Sequence, residues 1–345
     1  MRVTLKDIAL RYGVSKVAVS LALRNSPRIS IKRRDEIQKL AQEMGYTSDP
    51  FLAALAKYRF KERAIRAKGK IAWLNHWQFP ERLRSYQEFN NYFMSAKKAA
   101  KPLGYQLEEF IWPATNSAKM VEQRLLEQGI LGLLIPPHPP EVDWGDFRWN
   151  MFSLIRFGMS VHQPDSNLVT ADHQRAIVMA IKKIHSYGYR RIGFVFNHAH
   201  DRSMGGNFTG GFKWAQKLLK LDPLIPPVDF EMQPSAASLE QRKEVLGAWV
   251  KKYKPDAVLT AVSDVPDLLR QLGHRVPNDI AVAATSVHDI PIDAGIDQHP
   301  KAIGRIAVEM LVKQISLNER GEPLDPCRIL VESRWQDGKS LPSRI

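Results

Sequence analysis

Residues 3–46 read VTLKDIALRYGVSKVAVSLALRNSPRISIKRRDEIQKLAQEMGY. Thr4 and Asp7 form a capping box: the threonine hydroxyl accepts from a backbone N–H of the first helical turn while the aspartate reaches back. Leu5, Ile8 and Ala9 then recur at helical spacing. Gly13 ends this helix because it can take the left-handed conformation of a tight exit. Ser15 caps a second helix whose inner face is Val19, Ala22 and Leu23. After a break at Asn25-Ser26-Pro27, Ser30 caps a third, basic helix. That helix carries Ile37, Leu40, Ala41 and Met44 on one side and ends at Gly45. Two short helices joined by a tight turn, with a third behind, follow the helix-turn-helix plan; the same spacing also suits a three-helix bundle that binds nothing. The second helix has the size of a major-groove reader, with Lys16, Val17, Ser20 and Leu21 turned outward.

Charge sharpens the choice. Of the formal net +14 of this 345-residue chain, residues 1–66 hold +9, from 15 Lys or Arg against 6 Asp or Glu. A small basic module on a nearly balanced body points to a polyanionic partner, although a solvated basic surface has the same composition. A chain of this length exceeds one ordinary core, so two or three domains are expected. No apolar run is long enough to span a membrane, and the first residues lack the apolar core of a signal peptide. The expectation is a cytoplasmic protein. The single cysteine, Cys327, agrees, since it has no partner within the chain for a disulfide.

The wording of residues 3–46 resembles the lactose-repressor family of transcription regulators through Thr4, Asp7, Ile8, Ala9, Gly13, Val14, Ser15, Val19, Ser20, Ile29, Ser30, Ile37, Gly45 and Tyr46. The resemblance continues in Asp172, His173, Ala176, His185 and Gly188 to Val195, and in the stretches 255–258, 276–282 and 296–311, so it runs nearly the length of the chain. It implies an α/β protein: a three-helix head over residues 1–47, a hinge helix and linker over 48–67, and a two-lobed, periplasmic-binding-protein-like body of parallel sheets over 68–345. Lobe one would take about 68–160 and 290–318, and lobe two about 161–289 and 319–345. Strand runs alternating with helical stretches from residue 68 onward agree with parallel sheets and crossover connections.

The resemblance also implies partners: a double-stranded DNA operator of roughly palindromic sequence, a second copy of the chain, and a small-molecule effector in the cleft, a sugar or sugar derivative by family habit. Leu55, followed by Ala56, matches the leucine that wedges into the minor groove, although packing in a linker would also account for it. Lys16 is the candidate for a guanine contact, while Val17 and Leu21 could meet only thymine methyls. These two, and Arg24 where the family usually has Asn, predict an operator unlike those of well-known members. Arg2, Thr4, Lys6, Ser15, Arg24, Arg28, Lys32 and Arg33 read as phosphate contacts, which position without specifying.

Ligands of parallel sheets lie beyond the carboxyl ends of strands. That places Asn75, His76, Trp77, His138, Asn197, Ser263, Asp264 and Ser286 at the cleft; the resemblance adds Phe208, and Phe79 joins them as a candidate stacking ring. Much of the family's hydroxyl-gripping set is changed: Phe208 stands at its arginine, Ser286 at its aspartate and Ser263 at its asparagine. Trp77 and Phe79 could stack on a ring, whereas Trp73 lies inside a strand run and reads as core. His198-Ala-His200-Asp201 lacks a third ligand at zinc spacing, no phosphate-binding glycine frame or nucleophile elbow occurs, and Cys327 reads as packing. No metal, cofactor or catalytic set is expected. Two other classes fit less well: a solute-binding protein would need a signal peptide and no basic head, and an enzyme with a DNA-binding head would need catalytic residues.

Overall fold

A computed structural model describes residues 3–23, 29–46, 69–139, 142–230 and 236–345. The hinge stretch with Leu55 and Ala56 lies outside the described residues, as do Arg2, Arg24 and Arg28.

The head consists of α1 (Leu5–Tyr12), α2 (Lys16–Leu23) and α3 (Ile31–Glu43). Its local chemistry explains the breaks. The Thr4 N–H donates to Asp7 Oδ2 at 2.8 Å, and the Asp7 N–H donates to Thr4 Oγ1 at 3.4 Å, closing the capping box. Gly13 takes φ of 77°, which turns the chain from α1 into α2. The Ala18 N–H donates to Ser15 Oγ at 3.1 Å. Ser30 stands at the start of α3 in the expected place, but its hydroxyl makes no capping bond. Ile8, Val19, Ala22 and Ile37 are fully enclosed where the three helices meet.

The body holds two six-stranded sheets. The first runs in the order β11 (Arg328–Val331), β5 (Leu168–Ala171), β4 (Ser153–Phe157), β3 (Ile130–Ile135), β1 (Gly69–Asn75), β2 (Tyr105–Ile111), all parallel. The second runs β12 (Arg334–Gln336), β10 (Gly295–Asp297), β9 (Ala281–Ala284), β8 (Ala257–Thr260), β6 (Ile192–Asn197), β7 (Val228–Phe230). Only the short β12 runs antiparallel to its neighbour. The central strands are buried along almost their whole length, as sheets covered on both faces require.

In lobe one, α5 (Gln87–Ala100) and α12 (Pro300–Leu317) cover one face, and α6 (Ala118–Glu127) with Trp112, Trp144, Phe147 and Phe152 covers the other. In lobe two, α7 (His173–Ser186) and α9 (Asn207–Leu218) face α10 (Ala236–Tyr253) and α11 (Val265–Gln271) across the sheet. Short helices α4 (Pro80–Ser85) and α8 (His198–Ser203) follow β1 and β6.

The chain passes between lobes at 171–173, 297–300 and 331–334, and two passages are tied by the Asp172 N–H donating to the Val331 carbonyl at 3.0 Å. Sheet pairing divides the chain differently from the sequence expectation. Leu168–Ala171, assigned to lobe two by sequence, pairs with β4 and β11 in lobe one, and the stretch 328–331, likewise assigned to lobe two, joins that sheet by pairing with β5. Gly295–Asp297, assigned to lobe one, pairs with β9 and β12 in lobe two. Strand membership is decided by backbone hydrogen bonds to distant segments, which hydropathy along the chain does not show.

In lobe one, α5 packs tightly against α12 at Gly304. A Cβ there would overlap Ser95 Oγ and the Tyr92 carbonyl oxygen. Because the obstacle includes backbone, Gly304→Ala is expected to destabilise the body by about 1–3 kcal/mol, the usual range for overpacking. Urea unfolding checks this, and an unchanged midpoint would contradict it.

Candidate functional site

Two regions carry the sequence expectations: the outer face of α2 and the facing edges of the two sheets. On α2 the inner side is locked, with Val19 and Ala22 at 0% exposure, while Lys16 is exposed and Val17 is 66% exposed. Ser20 and Leu21 are half-buried at the margin. Thr4, Lys6, Ser15, Lys32 and Arg33 are all exposed. A valine left in water at the start of a helix beside a lysine, with cations on α1 and α3, makes a surface of positive charge with an apolar centre.

At the cleft edge of lobe one, Asn75, His76, Trp77 and His138 come together, but their polar atoms serve the lobe itself. Asn75 is fully buried; its Nδ2 donates to the Pro80 carbonyl and to Glu109 Oε1, each at 2.9 Å, and its Oδ1 accepts from the Trp77 N–H at 3.1 Å. His138 Nδ1 lies 2.7 Å from the Pro136 carbonyl, and its Nε2 accepts the His76 N–H at 2.9 Å. Burial pushes its pKa down to about 3, so the ring is neutral. His76 stacks on Trp112 with centroids 4.4 Å apart, its ring nitrogens facing the Trp112 and Asp143 carbonyls. Trp77 Nε1 donates to the Pro137 carbonyl at 2.9 Å. Phe79 is 47% exposed at the start of α4, with the Arg82 guanidinium over its ring at 4.9 Å. Trp73 is wholly buried in the core, as its strand position predicts.

Lobe two gathers a second group at the ends of β6, β7 and β8. Asn197 is buried, with Nδ2 donating to the Phe230 carbonyl and Oδ1 accepting the His200 N–H at 2.9 Å. Asp264 pairs with Arg242 of α10 at 2.9 Å, and the Arg242 guanidinium lies 5.7 Å from the Phe230 ring centroid. Arg242 Nε and Asp264 Oδ1 are both buried, and among the described residues neither has a hydrogen-bond partner. Ser263 is exposed. Phe208 is buried between the His173 and His200 rings, at 5.3 and 5.5 Å, and its N–H donates to Asp201 Oδ1 at 2.9 Å. Burial lowers the pKa of both histidines, His173 to about 4.

Ser286 is the sequence-predicted residue that bridges the lobes. Its hydroxyl donates to Glu88 Oε2 of α5 at 2.9 Å. Glu88 is 5% exposed, and its Oε1 accepts from the Tyr92 hydroxyl at 3.1 Å. Burial, and then the neighbouring Asp289, push its pKa up to about 8.

Glu88 and Arg242 were absent from the sequence expectations. Each carries a readable signal: a charged residue inside an apolar helical stripe, Glu88 with Tyr92 and Ala96, Arg242 with Leu246 and Trp249. Cys327, expected to pack, is exposed, since it precedes edge strand β11 rather than lying inside it. Among the described residues no group of three His, Cys, Asp or Glu side chains is arranged to hold a metal.

Comparison with known proteins agrees with this division. Residues 4–49 match the model of the lacI family of bacterial regulatory proteins, and residues 181–341 match a periplasmic binding protein-like domain. The NTD biosynthesis operon regulator NtdR of Bacillus subtilis (strain 168) is 23% identical over 336 residues, covering 91% of this chain and 93% of that protein. Among solved structures, a complex of the transcriptional regulator CelR with cellobiose superimposes with a TM-score of 0.60 at 18% identity, over 98% of this chain and all of that one. The lac repressor dimer bound to operator and the anti-inducer ONPF gives a TM-score of 0.52 at 17% identity, over 99% and 100%.

The two sides of the head are separable by mutation. Ile37→Ala, at the closed centre of the head, is expected to destabilise it by about 2–5 kcal/mol. Val17→Ala, on the exposed face, should shift stability by no more than about 0.5 kcal/mol. Chemical unfolding followed by head amide resonances checks both, and equal losses would contradict the assignment of faces.

Proposed function

Because the chain belongs to the lacI family of transcription regulators, we propose that it acts as a repressor: a homodimer reading a roughly palindromic operator under control of a small molecule between its lobes. The observation that carries the reading is α2, held by Val19 and Ala22 while Lys16 and Val17 stay in solvent. A helix built to read DNA needs such a rigid back and a free front. In this reading Lys16 meets a guanine, Val17 and Leu21 meet thymine methyls, and Ser20 adds a polar contact at the edge. Lys6, Lys32 and Arg33, with Thr4 and Ser15, hold phosphates, joined by Arg2, Arg24 and Arg28. Leu55 and Ala56 form the minor-groove wedge.

For the effector, lobe two offers the better-defined contact. A single ligand hydroxyl could accept from Arg242 Nε–H and donate to Asp264 Oδ1, the two unpartnered buried atoms of that pair. This suits a sugar or sugar derivative, with Arg242 standing in for the arginine that Phe208 replaces. Phe79 and Trp77 would add a ring face. Asn75, His76, His138 and Asn197 act by shaping the walls, since their polar atoms are engaged. The effector can shift DNA binding only as far as it favours one arrangement of the lobes over the other. Action on DNA places the protein in the cytoplasm, and the reading includes no catalytic step. No described helix is long and apolar enough to cross a membrane.

Binding of the purified full-length protein to duplex DNA tests the phosphate contacts. The log–log slope of affinity against salt is expected at roughly −6 to −9, for about 7–10 phosphates neutralised; a slope near zero would contradict them. Leu55→Ala should weaken binding to the operator far more than to unrelated duplex. Equal losses on the two DNAs would remove the wedge.

A further inference from the structure

Glu88 sits in the first turn of α5 in lobe one, and its partner Ser286 follows β9 in lobe two. A second bond crosses between the same segments in the opposite sense, from the Glu88 N–H to Asp289 Oδ1 at 3.3 Å. The carboxyl thus joins two bodies that also meet at the chain crossings and where Met159 packs against lobe two, and it does so without a cation. Among the described residues no lysine or arginine pairs with Glu88. Arg84, on neighbouring α4, is turned to Glu109 and Asn90, and Lys301 in the first turn of α12 is exposed.

The groups that face Glu88 are polar or acidic. Tyr92 lies on its own helix. Ser286 and Asp289 come from the loop after β9, and Asp297 from the end of β10. Asp297 is engaged by His288 Nε2 at 3.0 Å and by the His299 N–H at 2.8 Å, and although burial opposes it, these contacts hold its carboxyl below the usual range. Asp289 is pushed upward by burial. A charged Glu88 would therefore be buried beside two other acids.

We propose that Glu88 is an inter-lobe latch that holds α5 to the loop after β9 as a neutral acid, and that loss of its proton releases the two lobes from each other. The neutral carboxyl can donate to one hydroxyl, Ser286 or Tyr92, and accept from the other, so both bonds survive protonation with the hydroxyl roles adjusted. When the lobes part, water reaches Glu88 and its pKa returns toward the ordinary carboxylate range.

The direction of the pH effect follows. The joined state has the raised pKa, about 8, so joining takes up a proton. The latch is at full strength below the ordinary glutamate pKa and weakens as pH rises. Between about 4.5 and about 8 the ratio of joined to parted lobes falls up to tenfold per pH unit, and above that it levels off. The latch rests on the two-lobed body alone, so its test uses neither DNA nor effector, and its failure would leave the DNA-reading proposal standing.

The test is amide hydrogen exchange of residues 286–290 and 87–92 in the full-length protein, from about pH 5.5 to about pH 8.5. Wild type is compared with Glu88→Gln at each pH, so that the intrinsic pH dependence of exchange cancels. The glutamine amide keeps a donor and an acceptor but has no proton to lose. The expected result is that wild-type exchange rises relative to the variant's with pH, by up to tenfold per pH unit until about pH 8, and then levels off. A wild-type to variant ratio that stays constant across the range would overturn the latch. Ser286→Ala supplies an independent arm without changing charge: it should raise exchange in both segments at the acid end, and unchanged protection there would equally overturn the proposal.

Discussion

A parallel strand must be followed by a crossover that returns the chain to its starting edge, so every parallel sheet collects its strand carboxyl ends on one side. Here that constraint acts twice, in two sheets each covered by helices on both faces. The ends of β1 and β3 in lobe one, and of β6, β8 and β9 in lobe two, thereby become edges where loops and helix starts gather. Three chain passages, with the Asp172 to Val331 bond between two of them, keep the lobes joined while allowing their relation to change. The effector reading and the latch both follow from this arrangement.

The head obeys a simpler constraint. Its small core admits Ile8, Val19, Ala22 and Ile37 completely, and three short helices have little other apolar surface to bury. Once Val19 and Ala22 are inside, the helical period leaves Lys16 and Val17 outside. Exposure of Val17 is unfavourable in water, and contact with a thymine methyl would offset it. Lys6 on α1 and Lys32 and Arg33 on α3 are exposed and add a positive field around that face.

How much was legible in the sequence depended on how local each feature is. The capping box at Thr4 and Asp7, the left-handed turn at Gly13 and the stripe of Val19 and Ala22 are set within a few residues, and the structure has them in place. Ser30 shows the limit, because its position is right but its hydroxyl does not cap. The assignment of Leu168–Ala171 and Gly295–Asp297 to lobes required pairings with segments far along the chain. Strand ends were readable from sequence; what each side chain does there was not. Asn75, His76 and His138 have the polarity of ligand groups, yet backbone carbonyls and amides only folding brings near occupy them. Glu88 and Arg242 looked like ordinary charged helix residues, and only their place on an apolar stripe marked them as buried.

The central claim, that this is a dimeric reader of a particular DNA sequence, is tested most directly by selecting binding sites from random duplex DNA with the full-length protein at near-physiological salt and sequencing what is retained. Enrichment of one palindrome, with two half-sites about one helical turn apart, is the predicted result. Retention of DNA without any enriched sequence, under conditions where the head is folded, would contradict it: the face around Lys16 and Val17 would then grip DNA without reading it.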